Sequence, residues 1–194
     1  MIKFIKHRSN TLEDIRDKNY YGFEIDIRTI NNHLICHHDP FANGVFLENI
    51  LHEIKDRLVI LNVKEDGLEQ KIIELMKTFN LSEYFFLDQP VPTIIRSINM
   101  NIDCAVRFSE YEYFELNKNV RPKWIWIDSF TGSWEHLTDT LNLADKWGIQ
   151  TCLVSPELQG RFSIDEFEYL KSNFKDSSIP NAICTKDRNY WSGL

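Results

Sequence analysis

Apolar residues along the chain fall into short blocks separated by longer polar stretches. Eight blocks have the length and composition of strands: IKFIKH (2–7), YGFEIDI (21–27), RLVILNVK (57–64), EYFFLD (83–88), DCAVRF (103–108), KWIWID (123–128), IQTCLV (149–154) and NAICT (181–185). They are rich in Ile, Val, Phe and Trp, as pleated strands prefer. A ninth piece, HLIC (33–36), follows the second block too closely for a helix to intervene, and reads as an extension or a small hairpin. Between most blocks the apolar period becomes helical. Leu47, Ile50, Leu51 and Ile54 share one face, and so do Leu68, Ile72, Leu75, Met76 and Phe79. Ser163 with Glu166, and Asn10 with Glu13, have capping-box spacing and predict helix starts. The helix after the fourth block is brief, and the next connection, SEYEYFELNKN, gives no firm pattern.

Strands alternating with helices imply parallel pairing through right-handed crossovers. A closed barrel and an open doubly wound sheet both satisfy that rule. The count of eight favours an α/β fold of the (β/α)8 TIM-barrel type. So does the lack of a glycine-rich first turn, which a nucleotide-binding open sheet would carry. With 194 residues, against roughly 250 in a typical barrel, the loops must be short. The chain is 43% hydrophobic and has no low-complexity stretch or visible linker, so one domain over residues 1–194 is expected.

Charge and cysteine content narrow the function. The net charge is −7 and the 22 Lys and Arg residues are scattered, so the basic stripe of a nucleic-acid-binding surface is missing. Cys36, Cys104, Cys152 and Cys184 lie far apart, each in or beside an apolar run, which reads as buried reduced thiols in a cytoplasmic protein. No run approaches membrane length, and MIKFIKHRSN is too short for a signal-peptide core, so stable membrane insertion is not expected. No pattern bears on oligomeric state. There is no G-x-S-x-G elbow and no P-loop, and Cys36 and His37, as strand neighbours, point to opposite faces.

In a barrel of this type the chemistry gathers at the C-terminal ends of the strands. The first block ends in His7-Arg8, and the second holds Glu24 and Asp26, with His38-Asp39 after the extension. The third ends in Asn62 and Lys64, the fourth in Asp88, and the sixth in Asp128; the fifth holds Arg107, and the eighth runs into Lys186-Asp187. Parity places Glu24 and Asp26 on one face, opposite Phe23, Ile25 and Ile27, and places Asn62 with Lys64. Two carboxylates sharing a half-buried mouth repel, and a divalent cation removes that cost; their oxygen donors suit Mg²⁺ or Ca²⁺. Each charged strand end alone is ordinarily a solvated terminus, but their recurrence at one end of successive strands is not. His33 and His37 read as local residues, His52 and His136 as surface residues in helical stretches. Trp124, Trp126, Trp134 and Trp147 read as packing.

The ordered segments HRSNT, EIDIRT, HHDP, LNVK and NAICTKDR resemble the glycerophosphodiester phosphodiesterase family, within the phospholipase-C-like phosphodiesterase superfamily. The resemblance implies a TIM barrel that hydrolyses a small phosphodiester with a divalent metal ion. It matches His7 and His38 to the general acid and base, and Glu24 and Asp26 to metal ligands. It also matches Asn10-Thr11 to the family's helix start, Thr29 to the threonine between its motifs, and Lys64 to its later lysine. Arg8 and Lys64 suit the charge of a phosphate. The chain departs from the pattern at three places. Asn62 stands where the third metal ligand is acidic, which predicts weaker metal binding. Ser9 replaces a glycine in a shortened loop, and TCLVSPE replaces the Trp and Asn of the seventh strand. Asn62 keeps a second reading open, a degenerate barrel that binds a phosphorylated ligand without turnover.

Overall fold

The computed structural model describes residues 1–117, 119–176 and 179–194. Its strands are β1 (Lys3–Lys6), β2 (Gly22–Ile30), β3 (His33–Cys36), β4 (Val45–Phe46), β5 (Leu58–Val63), β6 (Tyr84–Leu87), β7 (Ala105–Phe108), β8 (Trp124–Ile127), β9 (Gln150–Val154) and β10 (Ala182–Thr185). Its helices are α1 (Leu12–Ile15), α2 (Leu47–Glu53), α3 (Glu69–Thr78), α4 (Val91–Asn99), α5 (Leu137–Trp147) and α6 (Ile164–Asp176).

All eight expected blocks form strands, paired in parallel around a ring. β1 lies between β10 and β2, β2 continues to β5 and β6, and β10 continues through β9 and β8 to β7. The ring closes where β6 meets β7, through a bridge between Phe86 and Cys104 and a hydrogen bond from Phe86 N to Asp103 O (3.0 Å). The fold is therefore the expected (β/α)8 barrel. β3 and β4 extend it as an antiparallel flap on the long end of β2. All four cysteines are buried free thiols.

Side-chain parity divides the apolar residues into two cores. One lies between the ring and the helices and takes Phe23, Ile25 and Ile27 of β2 together with Ile50, Leu51, Ile72 and Met76. The other fills the barrel and takes Ile5, Leu58, Ile60, Phe85, Trp124, Trp126 and Cys184. Large residues meet small ones inside: Trp124 stacks on Phe85 at 4.5 Å and pairs beside Ala105. Gly22 is required by the same crowding. A Cβ there would lie 2.3 Å from the Leu58 carbonyl oxygen and 2.9 Å from Ile5 Cδ1. Because the nearest atom is backbone, relief needs a strand shift. Gly22→Ala is expected to destabilise the protein by about 1–3 kcal/mol, read as a lower denaturation midpoint in urea. An unchanged midpoint would mean the β2–β5 pair yields freely.

Three local expectations are corrected. The capping box of α1 uses Thr11 and Asp14 in place of Asn10 and Glu13. Asn10 is drawn away by Asp26, as described below. His136 is not a free surface residue: its Nε2 bonds the Asp128 carbonyl (3.0 Å) and its ring stacks near Trp134. At α6, Ser163 precedes the helix and its carbonyl accepts from Glu166 N (3.2 Å), but the Glu166 carboxylate is held by Trp134 Nε1 (2.8 Å) and Arg161 Nε (3.1 Å). Among the described residues between β7 and β8 no helix forms, which leaves an irregular loop beside the mouth.

Candidate active site

His7, Arg8, Glu24, Asp26, His38, Asn62 and Lys64 all line one cleft of about 280 Å³ at the C-terminal end of the barrel. Strand register explains the inner part. Asp26 pairs with Asn62 across β2 and β5, and Glu24 sits one inward step below. Asn62 Nδ2 donates to Glu24 Oε1 at 2.7 Å. Burial, then the neighbouring Asp26, raises the Glu24 pKa above the ordinary carboxylate range.

The turn after β1 wraps over this pair. Arg8 takes a left-handed backbone, φ 50°, and its N–H donates to Glu24 Oε2 at 2.7 Å. Ser9 N–H bonds the Glu24 carbonyl (2.7 Å), and its hydroxyl bonds the Lys6 carbonyl (3.0 Å). Ser9 thus locks the turn after β1. Asn10 clamps Asp26 from both sides: its Nδ2 donates to Oδ2 (2.8 Å) and its Oδ1 accepts the Asp26 N–H (2.9 Å). The sequence matched Asn10 to a helix start, but the structure uses it to fix a carboxylate.

His38 reaches the same cleft because β3 runs back along β2 and returns the chain to the mouth. His37 N–H bonds the Asp26 carbonyl (3.0 Å), and Arg28 Nε bonds the His38 carbonyl (3.0 Å). Thr29 N–H and its hydroxyl engage Glu65, next to Lys64, which ties the long end of β2 to the turn after β5. The His38 ring bridges Asp39 Oδ1 at Nδ1 and Arg8 Nη2 at Nε2, both at 2.8 Å. Carboxylate and guanidinium fix the tautomer: Nδ1 carries the proton and Nε2 accepts. His7 is deeper, with Nε2 3.9 Å from Glu24 Oε2. Burial, followed by the charges of Arg8, Lys186, Lys64 and His38, lowers its pKa to about 3, so the ring is neutral.

Cations and anions alternate across the rest of the mouth. Lys64 Nζ lies 3.2 Å from Asp26 Oδ1 and 3.4 Å from Asp88 Oδ2. Arg107 joins Asp88 (2.5 Å), Asp128 and Glu112 (3.0 Å). Gln159 Nε2 adds a bond to Asp128 (3.0 Å), a contribution that the sequence did not signal. Asp187 is used locally: its side chain accepts from Asn189 N–H (2.9 Å) and caps a short turn.

Among the described residues no group of three His, Cys, Asp or Glu side chains is arranged to hold a metal ion. The expected third ligand is the Asn62 amide. Its Oδ1 is buried without a hydrogen-bond partner. So is Asp26 Oδ1, because Lys64 approaches it at ion-pair distance but outside hydrogen-bond geometry. Two unpartnered oxygens beside a second buried carboxylate form a donor set that fits a hard divalent cation.

No family model matches the sequence, and no curated protein matches it. Structural comparison is more informative. The chain superposes on glycerophosphodiester phosphodiesterase from Agrobacterium tumefaciens str. C58 with a TM-score of 0.70 and 12% identity, covering 98% of this chain and 97% of that one. For a glycerophosphoryl diester phosphodiesterase from Parabacteroides distasonis ATCC 8503 the TM-score is 0.72 at 12% identity, with 100% and 87% covered. Phosphoribosyl anthranilate isomerase from Thermus thermophilus fits less closely, with a TM-score of 0.53 at 10% identity over 95% and 86% of the chains. Over nearly its whole length, the chain has the barrel fold of the glycerophosphodiester phosphodiesterases.

Proposed function

We propose that this barrel hydrolyses a small glycerophosphodiester-like substrate with a divalent ion. The observation that carries the reading is the meeting of two imidazoles, two cations and an under-satisfied oxygen set in one mouth cleft. Glu24, Asp26 and Asn62 would hold Mg²⁺ or Ca²⁺, which supplies charge neutralisation at the non-bridging phosphate oxygens. Arg8 and Lys64 bind the same phosphate. An incoming phosphate draws the Arg8 guanidinium from His38 Nε2, and that nitrogen is then free to exchange a proton with the nucleophile or the leaving alkoxide. His7 is the partner in that exchange. Burial is the largest cause of its low basicity, and a bound phosphate anion offsets the smaller part that Arg8 and Lys64 contribute. Asn10, Ser9 and Arg28 position these groups without touching the substrate.

Protein stripped with EDTA, then assayed on glycerophosphodiesters and bis-p-nitrophenyl phosphate with Mg²⁺, Ca²⁺ or Mn²⁺, tests the reading. Turnover restored by a divalent ion and lost in Glu24→Ala is expected. No turnover with any ion, alongside measurable binding of inorganic phosphate, would replace the hydrolase with a binding-only barrel.

A further inference from the structure

A second cleft of about 630 Å³ adjoins the phosphate-sized one, and Leu87, Asp88, Arg107 and Phe130 form the wall that both share. Its lining includes the aromatic residues Tyr111, Tyr113, Phe114 and Phe130. Tyr111 and Tyr113, in the irregular loop after β7, are 71% and 74% exposed. The Tyr111 ring lies 6.1 Å from Phe130, and the Tyr113 ring 5.0 Å from Phe108. Such rings grouped in water beside a polar site form an uncovered contact surface.

Two features indicate what covers it. The charged residues lining the cleft are Asp88, Arg107 and Glu112. Each carboxylate already has a cationic partner, since Arg107 pairs with both and Lys64 adds to Asp88. A cationic alcohol would have to compete for carboxylates that are taken, whereas an apolar one would not. Second, Phe130 is fixed before any ligand arrives. The Glu110 carboxylate accepts from Phe130 N–H (3.1 Å), Thr131 N–H (2.6 Å) and the Thr131 hydroxyl (2.6 Å). A backbone already held in place loses little freedom on binding.

We propose that this cleft receives an apolar arm of the alcohol esterified to the phosphate, either an aromatic ring or an acyl chain. The inference rests on the phosphodiesterase reading of the adjoining cleft and assigns that site's substrate class. Diesters with an apolar second alcohol are preferred over those carrying a small or cationic one.

The test compares glycerophospho-diesters of ethanol, choline, benzyl alcohol and octanol, the last below its micelle concentration. In parallel, calorimetry measures binding of the matching phosphonates, in which a methylene replaces the scissile oxygen. A benzyl or octyl preference over ethyl of roughly 10- to 100-fold in kcat/KM is expected. The ratio should fall toward one in the Tyr111→Ser/Tyr113→Ser double variant. Both tyrosines are exposed, so the fold does not depend on them. Preference for benzyl alone identifies a ring, and for octyl alone an acyl chain. Equal rates across the series, a choline optimum, or a preference that survives the double substitution would overturn the subsite. Apolar preference in phosphonate binding without turnover of any diester would uphold the subsite and overturn the hydrolase. Neither turnover nor preferential binding would overturn both.

Discussion

Alanine at position 38 is expected to lower glycerophosphodiester turnover by about 10²- to 10⁴-fold, the usual yield of one positioned acid–base group. The thermal midpoint should hardly change. His38 is partly exposed, and its bonds to Asp39 and Arg8 join exposed groups, whose pairing adds little stability. The loss should therefore be chemical. Asp39 fixes the proton on Nδ1 and leaves Nε2 as the atom facing Arg8. Asp39→Asn can still accept that proton but lacks the charge that stabilises an imidazolium, so its loss should be smaller, roughly tenfold. Steady-state kinetics on both variants read the difference. Wild-type kcat/KM in His38→Ala would remove His38 from proton transfer and leave the hydrolysis to other groups. Equal losses in the two variants would make the Asp39 charge, and with it stabilisation of the imidazolium, the limiting contribution.

The barrel was legible in the sequence because closed parallel sheets make strict demands. Each strand must be short and apolar on its outer face, and polar groups collect at one end. Glu24 and Asp26 could be placed together by parity alone, because strand geometry leaves two faces to choose from. His38 was less legible: the sequence put it after an extension or small hairpin, and only the resemblance gave it a role. What brings it to the mouth is the antiparallel return of β3, and no periodicity announces that return. The identity of the α1 cap was also illegible. Asn10 and Thr11 are both good caps, and the choice falls to Thr11 because Asn10 is taken by Asp26, sixteen residues away in the chain. The loop that carries Tyr111 and Tyr113 has no helical period to read, since its residues form no apolar stripe. Local patterns specify elements, whereas the pairing of polar groups between elements is decided by which partner is nearest after folding.

The Asn62→Asp variant separates a cation site from a merely charged mouth, because it acts in opposite directions on the empty and the loaded protein. In EDTA the substitution removes the Asn62 Nδ2 donor from buried Glu24 and adds a third carboxylate beside Glu24 and Asp26. Hydrogen bonds to charged groups are worth about 1.5–3 kcal/mol, and the added repulsion makes the loss larger, about 2–4 kcal/mol overall. With Ca²⁺ or Mg²⁺ the same carboxylate becomes a third anionic ligand, so affinity should rise at least about tenfold over wild type. Thermal unfolding across a metal titration reads both effects, because a ligand bound only by the folded state raises the midpoint with its concentration. The expected result is a variant less stable than wild type in EDTA whose midpoint climbs more steeply as metal is added. A variant that is destabilised and indifferent to every divalent ion would show that Glu24, Asp26 and position 62 do not form a cation site. The positive charge of the mouth would then rest on Arg8, Arg107 and Lys64, whose ammonium already lies 3.2 Å from Asp26.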